Sequence, residues 1–169
     1  MSRPSTKLAT GAILFALTLV FSTLEQFLPP PPLPLPLRWG VANIVVLYAM
    51  LRVGPLMSLS LTILKAGFAL LVRGVVAAGL SLGGGLMAFC FAFLLVSLFK
   101  PSLAFLSIMA AMGHQLGQLM ALTVIYDYVA FAALTRIYLP SLIFAYASGT
   151  LTAYLLAKLL SVDSSLKIS

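Results

Sequence analysis

The stretch PLMSLSLTILKAGFALLV, residues 55–72, carries a single charged side chain, Lys65. A helix of about 20 largely apolar residues crosses the hydrocarbon core of a bilayer, so this stretch predicts a transmembrane helix. Working outward, comparable apolar runs occupy residues 8–28, 84–99, 102–125 and 139–160, and a shorter one occupies 40–51. The count that fits best is six spans. Five results if the short second run is re-entrant.

Composition agrees with this reading. Of 169 residues, 62% are hydrophobic and 8% charged, and mean hydropathy is +1.16. Soluble domains carry about 25% charged residues because their surface faces water. Three acids, Glu25, Asp127 and Asp163, are too few to solvate an 18.0 kDa globule. The chain reads as an all-α integral membrane protein, a single transmembrane domain over residues 1–169. The apolar runs are continuous rather than alternating, which argues against a β-barrel. No room remains for a separate nucleotide-binding or catalytic globule.

The ten basic residues give a net charge of +7, but they are scattered singly over loops and helix ends. That distribution speaks for topology and lipid contact, not nucleic acid. An inside N-terminus and six spans place Arg3, Lys7, Arg52, Lys100, Lys158 and Lys167 on the cytoplasmic side, against Arg38, Arg73 and Arg136 outside. The excess predicts both termini in the cytoplasm. Arg3 and Lys7 before an apolar run resemble a signal peptide, but no small-residue cleavage site follows, so the run reads as an uncleaved first span. Residues 29–38, PPPPLPLPLR, hold six prolines. Such density removes amide donors and favours an extended chain, predicting a stiff outer loop. Residues 73–82 continue the third span or form a loop, and 126–138 read as a loop with an interfacial helix. Residues 161–169 form a polar cytoplasmic tail. Cys90, in an apolar run, reads as a small buried hydrophobe.

A few positions are costly in lipid and need a reason. Lys65 at mid-span costs at least about 2.5–3.5 kcal/mol unless it faces a cavity or a partner. Two readings stand: an ion pair with Glu25, or contact with an anionic group of a ligand. His114 and Gln118 are four residues apart and share a helix face, with Gln115 beside them and Gly113 and Gly117 as a small-residue stripe. They read either as interhelical packing devices or as the polar wall of a binding cavity. No second histidine or paired carboxylate or cysteine accompanies His114, so no metal is expected. Asn43 satisfies backbone groups or touches substrate. The run Ser81-Leu82-Gly83-Gly84-Gly85 reads as a flexible entry to the fourth span, with a weak resemblance to an anion nest. Ala12 and Ala16 form a small-xxx-small pair on the first span, suited to close helix approach. No nucleophile with a base, aspartate-rich diphosphate signature or ATP loop is present, so neither catalysis nor a cofactor is expected.

These blocks resemble a known family. Arg38-Trp39-Gly40-Val41-Ala42-Asn43-Ile44-Val45 resembles the "KLGLANIV" segment of the Gx transporter family, labelled heptaprenyl diphosphate synthase component I. Residues 81–85 are similar to its "SLAGG" segment and residues 113–119 to "HNxGQL", and Lys65 takes the place of a basic residue in its third span. The blocks agree in order over about residues 35–155. Departures are Arg38 for lysine, Lys65 for the more usual arginine, Gln115 for asparagine and Ala110 for glycine.

The family resembles the substrate-binding S components of energy-coupling-factor transporters. The resemblance implies a six-helix module of the bacterial cytoplasmic membrane, with an outward-opening site under a lid from the first loop. It implies docking, through Ala12 and Ala16, onto a transmembrane coupling protein driven by two ATPases. The expected ligand is a small vitamin-like or isoprenoid-like anion. Arg38 and Lys65 would attract it, and Asn43, His114, Gln115 and Gln118 would surround its polar part. The competing expectation is a non-catalytic membrane subunit that assists a soluble prenyl diphosphate synthase or quinone biosynthesis.

Overall fold

The computed structural model describes residues 4–29, 38–126 and 131–166, and among these it is helical with no strand. Helix α1 covers Pro4–Leu24 and runs into a 3-10 turn, Glu25–Phe27. It is followed by α2 (Asn43–Arg52), α3 (Pro55–Arg73), α4 (Val75–Leu98), α5 (Leu103–Tyr126) and α6 (Phe131–Leu166). Five of these are long and apolar enough to cross a membrane. Leu56, Leu71 and Val124 are each more than four-fifths exposed, an apolar exterior that suits lipid and not water. The chain is a multi-pass membrane protein.

The short second run is the exception. Ten residues rise about 15 Å, half the hydrocarbon thickness. Helix α2 nevertheless sits inside the bundle, touching α1, α3, α4 and α6. Seven of its ten residues are buried, among them Asn43, Ile44, Val45 and Met50. It is a core helix surrounded by longer ones, so it need not match the bilayer.

Helices α4 and α5 form the most extensive contact. Their backbones meet at glycines: a methyl group on Gly83 would stand 2.6 Å from the Gly117 carbonyl oxygen, and one on Gly117 would run into that of Gly83. The small-residue stripe of the fifth span therefore acts as packing, as GxxxG-like contacts do in membranes. At one end of the bundle, Leu47, Met50, Ala88, Ala92, Leu106, Ala110 and Leu156 from α2, α4, α5 and α6 form an apolar core.

Several local expectations are corrected. Residues 81–85 lie within α4, which starts at Val75, so the glycine run is neither a flexible entry nor a nest of amides. Its amides are committed to the helix, and its missing side chains make room for His114, Gln118 and Thr62. Cys90 is exposed on the outer face of α4, not buried. Of the expected loop at 126–138, Phe131 onward belongs to α6, and residues 161–166 of the expected tail extend the same helix. The proline-rich segment 30–37 lies outside the described residues.

Candidate polar site at one end of the bundle

Because successive spans alternate in direction, one end of the bundle gathers the end of α1, the start of α2, the end of α3 and the start of α4. Here the polar residues collect. Ser22, Glu25, Arg38, Lys65, Arg73 and His114 line one cavity, together with Gly40, Ser81 and Gln118. Its free space is about 10 Å³, room for about one water molecule. Pockets that hold small ligands measure about 300–1,000 Å³. The polar wall is present, and its own side chains fill the space between.

The Lys65 ammonium, 4% exposed, donates to Asn43 Oδ1 at 2.7 Å. Glu25, also buried, accepts the backbone N–H of Gly40 at 2.6 Å. Of the two readings of Lys65, the direct pair with Glu25 is not formed; the two side chains make separate hydrogen bonds beside one cavity. This is possible because the 3-10 turn swings the carboxylate towards the segment that precedes α2. Gly40 is held at φ +77°, and a Cβ there would lie 2.6 Å from the His114 ring. A side chain at this position meets both backbone strain and a steric clash.

Gln115 and Gln118 do something that their spacing did not announce. Gln118 accepts the Arg38 N–H at 2.8 Å and donates to the Arg38 carbonyl at 3.0 Å. Gln115 donates to the same carbonyl at 3.1 Å. None of these three bonds joins helix to helix. Two amides one turn apart clamp the chain end that leads into α2, replacing the backbone partners an extended segment lacks inside a bundle. Ser148 of α6 adds a third anchor, donating to the Trp39 carbonyl at 2.7 Å, and the Trp39 ring meets Phe144 edge-on at 5.5 Å. Trp39 Nε1 donates to the Pro29 carbonyl at 2.8 Å, which brings residues 29 and 39 together.

The structure therefore brings together Arg38, Asn43, Lys65, His114, Gln115 and Gln118. Ala12 and Ala16 stand apart, exposed on the outward face of α1. Sequence reasoning missed Arg73, which at the end of a span reads as a topology signal. Instead it lines the cavity, donating from Nη2 to Ser22 Oγ at 3.2 Å. It also missed Ser148 and Trp39, whose roles depend on which backbone passes beside them. No group of three or more metal-ligating side chains occurs among the described residues.

The family model described as heptaprenyl diphosphate synthase component I matches residues 14–160. The chain belongs to this family. No curated protein matches it. Among solved structures, this component I family member is similar to one described as "Structure and mechanism of the S component of a bacterial ECF transporter". The TM-score is 0.71 at 17% identity, covering 97% of this chain and 98% of the other. At that identity the likeness is one of fold, and it extends over the whole helical bundle.

Proposed function

We propose that the protein is the substrate-binding, S-component-like subunit of an energy-coupling-factor type uptake transporter, taking up a small vitamin-like or isoprenoid-like anion. The observation that carries this reading is the buried cationic cavity at one end of a bundle with the S-component fold. Buried ionisable groups in a membrane are expensive and are kept where a substrate needs them. Arg38 and Lys65 supply the attraction, and Asn43 and His114 the polar wall. Gln115 and Gln118 act one step back, holding the backbone that presents Arg38. Admission of a ligand requires the residue-38 segment to move away from these amides, which makes it the natural closing element.

On this reading the chain is a non-enzymatic membrane subunit, and ATP hydrolysis belongs to partner chains. The exposed Ala12–Ala16 face of α1 is where a transmembrane coupling protein would seat. The cavity end faces outward and both termini face the cytoplasm of a bacterium.

Co-purification tests this. The tagged protein is extracted from its native membrane in mild detergent and its companions are identified by mass spectrometry. A membrane coupling protein with ATPases is the expected recovery. The family description favours one competing reading, a membrane subunit that holds a soluble prenyl diphosphate synthase near the bilayer. Recovery of such a synthase without ATPases overturns the transport reading and establishes this one.

A further inference from the structure

The charges around the cavity do not balance. Among the described residues that line it, Arg38, Lys65 and Arg73 are cationic and Glu25 alone is anionic. Glu25 accepts the neutral Gly40 N–H and keeps its single negative charge, which offsets one of the three cations. A buried charge without a counter-charge is destabilising, and breaking a buried pair is more so than never forming one.

Arg73 makes the imbalance specific. A span-end arginine that only marks topology extends its guanidinium towards headgroups and water. Here the side chain is turned inward, and its Nε and Nη1 are both shut off from solvent with no hydrogen-bond partner. Only Nη2 is engaged, on Ser22. A guanidinium has five N–H donors, three of them on these two nitrogens. Lys65 likewise has three donors and one acceptor, Asn43. The cavity therefore holds more aimed cationic groups than anionic acceptors among its described lining residues.

We infer that the cavity recognises a doubly anionic group, a phosphate monoester or a dicarboxylate, with Arg73 as a binding residue beside Arg38 and Lys65. Two negative charges added to Glu25 match the three cations, whereas a single negative charge leaves one unmatched. A phospholipid diester, with one negative charge, falls short, which separates a captured solute from a lipid headgroup. The inference rests on the anion-binding reading above and narrows it.

The test is thermal unfolding of the purified full-length protein in detergent with four probes at equal ionic strength: methyl phosphate, succinate, dimethyl phosphate and acetate. At about pH 8 a phosphate monoester is a dianion. A ligand that binds only the folded protein raises the unfolding midpoint saturably, which yields an apparent Kd. Methyl phosphate or succinate should raise it, the responder naming the class, while dimethyl phosphate and acetate do not. Arg73→Gln should weaken the responding dianion by about ten-fold or more, the loss of a charge-assisted hydrogen bond. Arg73→Lys, which keeps charge but not the planar fork, should fall between, and carries the comparison if the glutamine variant does not fold.

Equal responses to monoanions and dianions overturn the inference, as does a dianion affinity that Arg73→Gln leaves unchanged. If acetate binds and the response is lost in Lys65→Met but kept in Arg73→Gln, anion capture stands and the doubly charged assignment falls. No response to any probe overturns both.

Discussion

The two ends of this bundle are built on different physics. At one end, Leu47, Met50, Ala88, Ala92, Leu106, Ala110 and Leu156 pack as an apolar core. At the other, Glu25, Lys65, His114, Gln115 and Gln118 are equally buried, yet each is placed by directional bonds or by the absence of a neighbouring side chain. In lipid there is little hydrophobic force between helices, so the apolar end is held by shape and close contact. The polar end is held by hydrogen bonds to backbone that no helix satisfies. An end made of close-packed carbon has one arrangement. An end made of a few exchangeable hydrogen bonds around a small cavity has the means to open.

That contrast is breakable, and the largest effect is expected at the apolar end. Leu156, fully buried where four helices meet, should on truncation to alanine lower the stability of the folded protein by about 3 kcal/mol through the cavity left behind. Thermal unfolding in detergent reads this, and ligand affinity should not change. An affinity change comparable to the stability loss would show that the two ends are one cooperative unit.

Gly40→Ala probes the junction. The positive φ and the clash with His114 together should destabilise by about 2 kcal/mol. Unlike the leucine variant, it should also weaken binding, since the same shift displaces Arg38. A stable variant with normal affinity would mean that the segment before α2 rearranges freely.

Lys65→Met sharpens the contrast from the polar side. The fold should survive, because a buried charge is removed, while ligand affinity should drop by at least about ten-fold, or 1.4 kcal/mol. Titration of the native ligand against the folded variant decides it. Unchanged affinity would return Lys65 to a purely structural role with Asn43.

The smallest stability effect should come from Ala12→Leu with Ala16→Leu. Both positions are exposed on α1, so the unfolding midpoint should correspond to a change within about 0.5 kcal/mol. Co-purification of a coupling protein should nevertheless be lost. Retained co-purification would move the partner surface elsewhere on the bundle.

Much of the fold was legible because lipid imposes a simple rule on sequence. Runs of bilayer length with few charges must be helices, and residues 55–72 show it nearly to the residue, since α3 is Pro55–Arg73. The rule falters where a segment is shielded from lipid by protein. Helix α2 is too short to be read as a span, and the glycines at 83–85 look like a loop until α5 is laid against them. Cys90 failed for the converse reason: in a membrane, apolar surroundings in sequence do not distinguish lipid from core. Lys65, His114 and Gln118 were legible as costly residues that required partners. Arg73 was not, because a span-end arginine is unremarkable until the direction of its side chain is known.

The sequence by itself determined that this chain resides in the bilayer, which stretches form its long helices, and which buried polar residues needed explanation. Those follow from the free energy of moving each side chain and each peptide group out of water, a property carried residue by residue. Only the tertiary structure decided what the polar residues face: that Lys65 meets Asn43 and not Glu25, that two glutamines hold the residue-38 backbone, and that Arg73 joins the cavity. Hydrogen bonds are short and directional, so partners 22, 51 or 80 residues apart are chosen by helix packing and leave no periodic trace in the chain.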